Sequence, residues 1–355
     1  MNNFKTIVKF TLKETFFKRS FLISNIIMMF VVIFLSNMII KINNTTSNYI
    51  KNNPSVINVE ENINQTYNEE SISANNLIAK ESIDTLNNTF NFGFIVAFIL
   101  FFTIYFYGYM VSNSVANEKT SRVLETLLVS TSPETIIYGK TVAMGILSVG
   151  QMLFLGLVAI ISIGKNMNIE ISKYFNSFIN AASKFNFKSF FKAEYDLEFS
   201  NIIIFLLIFY VLFSLVLFFV FGYLFYAFIC AIAGASISRA EDIQIVNGPI
   251  SIIAMLAFYA SVFTTSMPNT SWAPIVKYLP FSSAFSMPVN ILNGTTNLNE
   301  ITISLIILIL ATIWLSFVTI KIYKQVVFNY GNRVRFKDLL EIIFLKNEKS
   351  NKVKK

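Results

Sequence analysis

Six long apolar stretches, none of which contains an Asp, Glu, Lys or Arg, dominate this sequence. A helix needs about 20 apolar residues to cross the hydrocarbon core of a bilayer. Charged residues make up only 14% of the chain, whereas soluble domains carry about a quarter. We therefore expect an all-α integral membrane protein with about six transmembrane helices. The predicted spans are Phe21–Ile40, Phe90–Val111, Thr141–Gly164, Asn201–Ala233, Gly248–Ser266 and Ile301–Ile320.

Two of these stretches need comment. The fourth is longer than a simple crossing, so we expect either one tilted helix or a helix broken at Gly222 or Gly234. The first stretch begins only at Phe21 and has no small-residue cleavage site after it, so we expect it to be a membrane span and not a cleaved signal peptide.

The distribution of Lys and Arg predicts the orientation. Six spans separate seven segments: 1–20, 41–89, 112–140, 165–200, 234–247, 267–300 and 321–355. The odd-numbered segments together hold 19 basic residues and the even-numbered segments 9, although 165–200 contributes five lysines to the second set. Because basic loops tend to stay in the cytoplasm, we expect a plasma-membrane protein, bacterial in character, with both termini cytoplasmic.

The non-membrane segments suggest further features. We predict an amphipathic cytoplasmic segment at 1–20 and a small outer helical segment at 41–89. The aromatic and lysine-rich segment 165–200 suits either a helix in the outer interface or packing against 41–89. The basic tail within 321–355 is expected to lie against anionic headgroups, which we favour over nucleic-acid binding.

The composition excludes several kinds of chemistry. There is no His, and Cys230 is the single cysteine, so histidine catalysis, histidine metal ligation and an internal disulfide are excluded. The predicted spans offer only amides and hydroxyls, such as Asn25 and Gln151, and no titratable group to carry a proton. If the protein drives transport, the energy is therefore expected to come from a partner.

One segment superficially resembles a phosphate-binding loop. Tyr138–Thr141 has the Gly-Lys-Thr ending of that loop, but Glu134 occupies the position of its first glycine. The segment also leads into a predicted membrane helix. We therefore predict no nucleotide site, no metal site, no cofactor and no enzymatic activity in this chain.

The charged stretch between the second and third spans is the most informative part of the sequence. When Ser114–Val129 is drawn as a helix, Glu118, Arg122 and Glu125 form one stripe and the leucines lie on the opposite face. This pattern predicts an amphipathic helix along the inner membrane surface with its charged face toward the cytoplasm. An ordinary connector between two spans would show the same pattern.

A second helix is predicted directly after this stretch. Ser132 is a suitable N-cap, Pro133 suits the first helical position, and Glu134 is favourable in the first turn. This helix is expected to enter the membrane near Lys140.

The charged stretch resembles the hallmark of permease subunits of ABC exporters of the second class (ABC-2), especially the sodium-efflux and multidrug exporter-like branch. The matching positions are Glu118, Lys119, Arg122, Glu125, Leu127, Leu128, Ser130, Pro133, Gly139 and Lys140. Further resemblance lies at Gly234–Asp242, Tyr278–Phe281, Met287–Pro288 and Tyr330–Arg333. The outer segment after the first span is shorter than in many members of the family.

The resemblance implies a mechanism. Two permeases, either two copies or two related chains, pair and each docks on a separate ATP-hydrolysing subunit that binds ATP and Mg²⁺. The implied ATPase-coupling residues are Glu118, Lys119, Arg122, Glu125, Pro133, Gly139, Lys140, Arg239, Glu241 and Asp242. The segment 267–300 is similar to an outer re-entrant element, with a plain loop as the alternative, and its implied gate residues are Pro274, Pro280, Phe281 and Pro288.

Three classes of function fit the sequence to different degrees. An exporter permease is favoured. A membrane sensor, scaffold or immunity factor that docks an ATPase without transporting would share the same charged stretch. An integral-membrane enzyme is disfavoured because a catalytic constellation is missing from the sequence. The cargo stays open among sodium, peptides, antibiotics and lipids.

Overall fold

A computed structural model describes residues 2–52, 69–121, 129, 131–166, 200–266, 270–293 and 295–326. Within these ranges the chain is helical and contains no β-strand. The predictions for most of 165–200 and for the basic tail beyond Val326 fall outside them. The α-helices are α1 (Asn2–Phe16), α2 (Arg19–Asn52), α3 (Glu69–Thr120), α4 (Pro133–Asn166), α5 (Ser200–Ser236), α6 (Ile243–Ser266), α7 (Ala273–Tyr278), α8 (Pro280–Leu292) and α9 (Leu298–Val326).

Among the described residues, six helices are long and apolar enough to cross a membrane. A helix satisfies its own backbone hydrogen bonds, which is why apolar chains cross hydrocarbon in this form. The prediction of an all-α membrane protein with about six transmembrane helices is therefore confirmed. The apolar spans are Phe21–Met38, Gly93–Thr120, Pro133–Ser162, Phe209–Ser236, Ile243–Thr264 and Leu298–Val326.

The helix α5 is continuous, so neither of its two candidate glycines breaks it. Both glycines instead allow close packing. A Cβ atom at Gly222 would lie 2.5 Å from the Cβ of Ala284 on α8, and one at Gly234 would overlap the backbone of Ser112 on α3. Small residues that let helix backbones approach are a common packing device in membranes.

The helices α3 and α5 form the centre of the bundle. Their apolar spans are 50% and 56% buried, whereas the other four are 22–28% buried. Tyr107 of α3 and Phe218 and Tyr226 of α5 are completely enclosed. The outer helices keep wide exposed apolar faces, with residues such as Ile161, Leu256 and Leu310, and such faces suit contact with lipid or another membrane subunit.

The two ends of the bundle are distinguished by the helix ends that they contain. We call the end that holds Thr120, Pro133, Ser236 and Val326 the proximal end. The opposite end, where α6 ends and α9 begins, is the distal end. The linker between α5 and α6 is a short turn at the proximal end, and its 3₁₀ helix Ala240–Asp242 lies against α3 and α6.

The helices α7 and α8 form a hairpin inside the bundle. The Oγ atom of Ser282 on α8 donates to the carbonyl oxygen of Val276 on α7 across 2.7 Å. Tyr226 of α5 donates to the carbonyl oxygen of Phe281 across 2.8 Å, while Lys277 reaches Glu300 near the start of α9. The segment 267–300 is therefore not a plain loop where it is described, because it forms two helices that are packed against α3, α5, α6 and α9.

Candidate functional site

The proximal end of α3 carries two consecutive charged residues whose side chains have different partners. The Nζ atom of Lys140 on α4 lies 2.5 Å from the Oε2 atom of Glu118. The Lys140 side chain is only 1% exposed and that of Glu118 is 16% exposed. Lys140 also donates to the carbonyl oxygen of Ser114 across 2.9 Å. The pair therefore joins α3 to α4 in a place largely shielded from solvent, where removal of one partner leaves an uncompensated charge.

The next residue, Lys119, joins three helices. Its Nζ atom donates to the carbonyl oxygen of Ala235 across 2.6 Å and to that of Val326 across 3.0 Å. The carbonyl group of Ala235 belongs to the final turn of α5, where a helix leaves acceptors without partners and where a cation is favoured. The ammonium group of Lys119 thus caps α5 and also bonds to Val326, the last described residue of α9, and Lys119 is 1% exposed.

Two further contacts complete this proximal network. Asn247 of α6 donates to the Oγ atom of Ser112 on α3 across 2.9 Å and to the carbonyl oxygen of Ile243 across 3.0 Å. Lys324 of α9 pairs with Glu134 of α4 at 2.5 Å, although both side chains are about half exposed. We define the proximal network as Ser112, Glu118, Lys119, Glu134, Lys140, Asn247 and Lys324 together with the carbonyl groups that they contact.

The start of α4 has the predicted cap. The backbone N–H of Thr135 contacts the Oγ atom of Ser132 at 3.4 Å, and α4 begins at Pro133. Further along, a Cβ atom at Gly139 would lie 2.7 Å from the Cγ2 atom of Ile7 on α1. Gly139 therefore has a packing role, because it gives α1 room to lie against α4.

The predicted surface helix at Ser114–Val129 needs correction. Residues Ser114–Thr120 instead continue α3, so this part of the motif belongs to the central helix of the bundle. Glu118 does not project into the cytoplasm from an exposed stripe, because it pairs with Lys140. Arg122 and Glu125 lie outside the described residues. Val129, which precedes α4, is 90% exposed.

The remaining predicted coupling residues are also at the proximal end. Arg239 and Glu241 are exposed, and Asp242 is partly buried. The backbone N–H of Asp242 donates to the carbonyl oxygen of Arg239 across 3.1 Å. The structure thus places the second predicted contact beside the end of α3, on the same end of the bundle as the Glu118–Lys140 pair.

The four predicted gate residues are separate from this network and belong to the α7–α8 hairpin. Pro280 begins α8, and the ring of Phe281 lies 5.0 Å from that of Phe225 on α5. Pro288 is buried inside α8, whereas Pro274 at the start of α7 is exposed.

Sequence reasoning missed an ion pair that holds the hairpin. Lys277 of α7 contacts the Oε2 atom of Glu300 at 2.9 Å, and Ser304 of α9 donates to the carbonyl oxygen of Lys277 across 2.6 Å. The sequence did contain a signal for this ion pair, since Lys277 is the only basic residue in 267–300. The partners of Lys119 had no such signal, because backbone carbonyl groups are present at every position.

Among the described residues, no group of three or more His, Cys, Asp or Glu side chains is arranged to hold a metal ion. The geometry is that of a helical bundle whose charged and polar contacts tie its proximal end together, with a helical hairpin toward the distal end whose second helix, α8, is buried.

Comparison with known proteins identifies relatives of this chain. The uncharacterized protein YhaP of Bacillus subtilis is 24% identical over 231 residues, which are 65% of this chain and 50% of that protein. The uncharacterized protein MJ1024 of Methanocaldococcus jannaschii is 25% identical over 236 residues, 66% of this chain and 49% of that protein. The chain thus matches about half the length of these relatives. No solved structure matches it significantly.

The family model described as ABC-2 family transporter protein matches residues 22–321. This range includes the six apolar helices apart from a few terminal residues, the hairpin, and the proximal network except Lys324 and the carbonyl group of Val326. It confirms the resemblance carried by the charged stretch after the second span. The protein therefore belongs to the ABC-2 transporter family and is a multi-pass membrane protein.

Proposed function

We propose that this protein is the transmembrane permease subunit of an ABC exporter, which moves its substrate out of the cell with energy from ATP hydrolysed by a separate subunit. The observation that carries the proposal is the Glu118–Lys140 pair, 2.5 Å long, which ties together the two helices that flank residues 121–132. A force applied to this short connection acts on α3 and α4 as one unit.

The ATPase subunit would dock on the proximal end. Val129 offers an apolar contact there because it is 90% exposed. Arg239 and Glu241 offer exposed charges of both signs at the same end of the bundle. Charged groups at the rim of an interface give register and specificity more than affinity. ATP and Mg²⁺ would be bound by that partner, and the proposed assembly has two ATPase subunits and two permeases.

Motion at the docking surface has a physical route to the rest of the bundle. Lys119 connects the end of α3 to the ends of α5 and α9 through two hydrogen bonds. The helices α3 and α5 both reach the buried hairpin, since Phe101 lies 5.9 Å from Phe285 and Tyr226 bonds to the carbonyl group of Phe281. The α7–α8 hairpin would then act as the outer gate of an alternating-access cycle.

The orientation and location follow from the same proposal. The proximal end would face the cytoplasm of a bacterial cell, with both termini on that side of the plasma membrane. The exposed apolar faces of α4, α6 and α9 would contact lipid and the second permease. The apolar spans favour no single cargo, so sodium, peptides, antibiotics and lipids all stay candidates.

The proposal is tested by purifying the tagged protein from its own host in mild detergent and identifying the chains that accompany it. We expect a roughly stoichiometric ABC ATPase, and about tenfold weaker retention when Arg239→Glu and Glu241→Lys are combined, because both side chains are exposed at the proposed interface. Lys41→Glu, an exposed change on α2, is the matched control and should retain the ATPase.

The outcome of this purification distinguishes the permease from the alternative functions. If a folded protein purifies without an ATPase, the permease assignment is wrong. If the ATPase is present but vesicles containing both chains show no ATP-dependent flux of any of the four cargo classes, the protein is a sensor, scaffold or immunity factor that docks an ATPase.

A further inference from the structure

One face of α1 packs against the bundle. Thr11 and Thr15 of α1 are buried, and the Oγ1 atom of Thr15 contacts the Sδ atom of Met144 on α4 at 3.8 Å. One turn before Thr11, Ile7 fills the space above Gly139. Residues at intervals of four share a face of a helix, so the bundle covers one continuous stripe along α1.

The opposite face of α1 carries a row of lysines. Lys5, Lys9 and Lys13 follow one another at intervals of four residues, and all three are exposed. None of them has an ion-pair partner among the described residues. The one acidic residue of α1 is Glu14, which pairs with Lys18 at 2.6 Å. Within the described part of the chain, the row is therefore a positive surface without a compensating carboxylate.

Exposed aromatic residues lie beside this row. Phe10 is 62% exposed and Phe17 is 70% exposed. On a helical projection, Phe10 lies between the lysine row and the face that packs on α4. A soluble surface seldom exposes large aromatic side chains next to lysines, whereas a helix in the membrane interface has this arrangement.

The short connection to α2 keeps the end of α1 close to the first apolar span. Only Phe17 and Lys18 separate α1 from α2, and the apolar span of α2 begins at Phe21. The ring of Phe21 lies 6.3 Å from that of Tyr107 on α3. The end of α1 therefore lies within a few residues of the start of the first apolar span, where a membrane helix leaves the headgroup region.

We propose that α1 is a docking surface for anionic phospholipid headgroups. Lys5, Lys9 and Lys13 contact the lipid phosphates, while Phe10 and Phe17 reach the boundary of the acyl chains. Each lysine near an anionic surface raises the binding constant about fivefold. An acidic protein surface is a poorer match, because Phe17 lies two residues before α2 and Phe10 shares its side of the helix. This proposal does not depend on the ATPase partner.

Amide hydrogen exchange of the full-length protein in nanodiscs tests the proposal. One set of discs contains only phosphatidylcholine, and the other also contains phosphatidylglycerol. Mass spectrometry follows the peptide that contains α1, with the peptide from α9 as an internal reference for folding. We expect the α1 amides to exchange at least about fivefold more slowly in the anionic discs, which is the effect of a single lysine, and the difference to shrink at high salt.

Two triple variants distinguish the effect of the lysine charges from an effect on folding. Lys5→Gln, Lys9→Gln and Lys13→Gln together should abolish the difference between the two lipids. Lys5→Arg, Lys9→Arg and Lys13→Arg together keep the charge and should preserve it. The proposal is overturned if the unaltered protein exchanges equally in both lipids while α9 stays protected, or if the glutamine variant keeps the full difference.

Discussion

The Nζ atom of Lys119 lies 2.6 Å from the carbonyl oxygen of Ala235, so the end of α3 directly caps the end of α5. The same atom reaches the carbonyl oxygen of Val326 across 3.0 Å, which adds the end of α9. Lys119, which lies just before the connection between the second and third spans, therefore joins α3, α5 and α9.

Lys119→Met should lower the free energy of unfolding by about 1–3 kcal/mol, because two buried carbonyl groups lose a charged donor. Methionine retains most of the apolar stem, so lost packing contributes little. Thermal unfolding of the purified protein measures the change. Lys41→Met, which removes an exposed lysine, is the control and should have almost no effect. Equal stability of the two variants would show that the bonds of Lys119 contribute nothing.

Glu118 and Lys140 should behave as a coupled pair. Glu118→Gln and Lys140→Met should each cost about 3–5 kcal/mol, because each leaves a buried partner uncompensated. The double variant should cost less than the two single costs combined, with a coupling energy of at least about 1 kcal/mol. Denaturation of the unaltered protein, the two single variants and the double variant completes the double-mutant cycle. Strictly additive losses of stability would contradict the pairing of Glu118 with Lys140.

The glycine at position 234 should be required for the contact between the two central helices. Gly234→Ala places a methyl group against the backbone of Ser112, which has no flexible side chain that can yield. We expect a loss of about 1–3 kcal/mol in stability. Gly150→Ala on α4 is the matched control, because no atom lies within 4 Å of its added Cβ, and the protein should be unchanged or about 1 kcal/mol more stable.

Lys277→Met should loosen the α7–α8 hairpin. Loss of the ion pair with Glu300 is expected to cost about 1.5 kcal/mol of local stability, which corresponds to roughly tenfold faster amide exchange in α8. Tyr210→Phe removes an exposed hydrogen bond of 2.8 Å to Thr302 on the same helix as Glu300, and it should change exchange in α8 little. If the two variants leave α8 equally protected, the ion pair does not hold the hairpin.

Features that depend on residues close together in the chain were predictable from the sequence. The apolar stretches predicted six membrane helices because span length follows from bilayer thickness. Ser132 and Pro133 predicted the start of α4 because capping depends on neighbours within one turn. The charged motif predicted the family, which the match over residues 22–321 confirms.

Features that depend on long-range contacts were not predictable in the same way. Helical spacing compares only residues within one helix, so it could relate Glu118 to Arg122, which lies outside the described residues, but not to a residue of the next helix. The partner found in the structure is Lys140, on the next helix. Gly222 likewise suggested a break in α5, and its role became visible only with Ala284 of α8 opposite it.

Site-specific cross-linking tests the central claim most directly. Val129→Cys places a reactive thiol at an exposed position before α4, while the single native thiol, Cys230, is buried inside the bundle. Asn299→Cys provides an exposed control at the distal end. In membranes of the native host, we predict that a short thiol-to-amine reagent joins position 129, but not position 299, to an ABC ATPase subunit. Efficient labelling at position 129 without any cross-linked ATPase would contradict the proposed docking surface and the permease mechanism that depends on it.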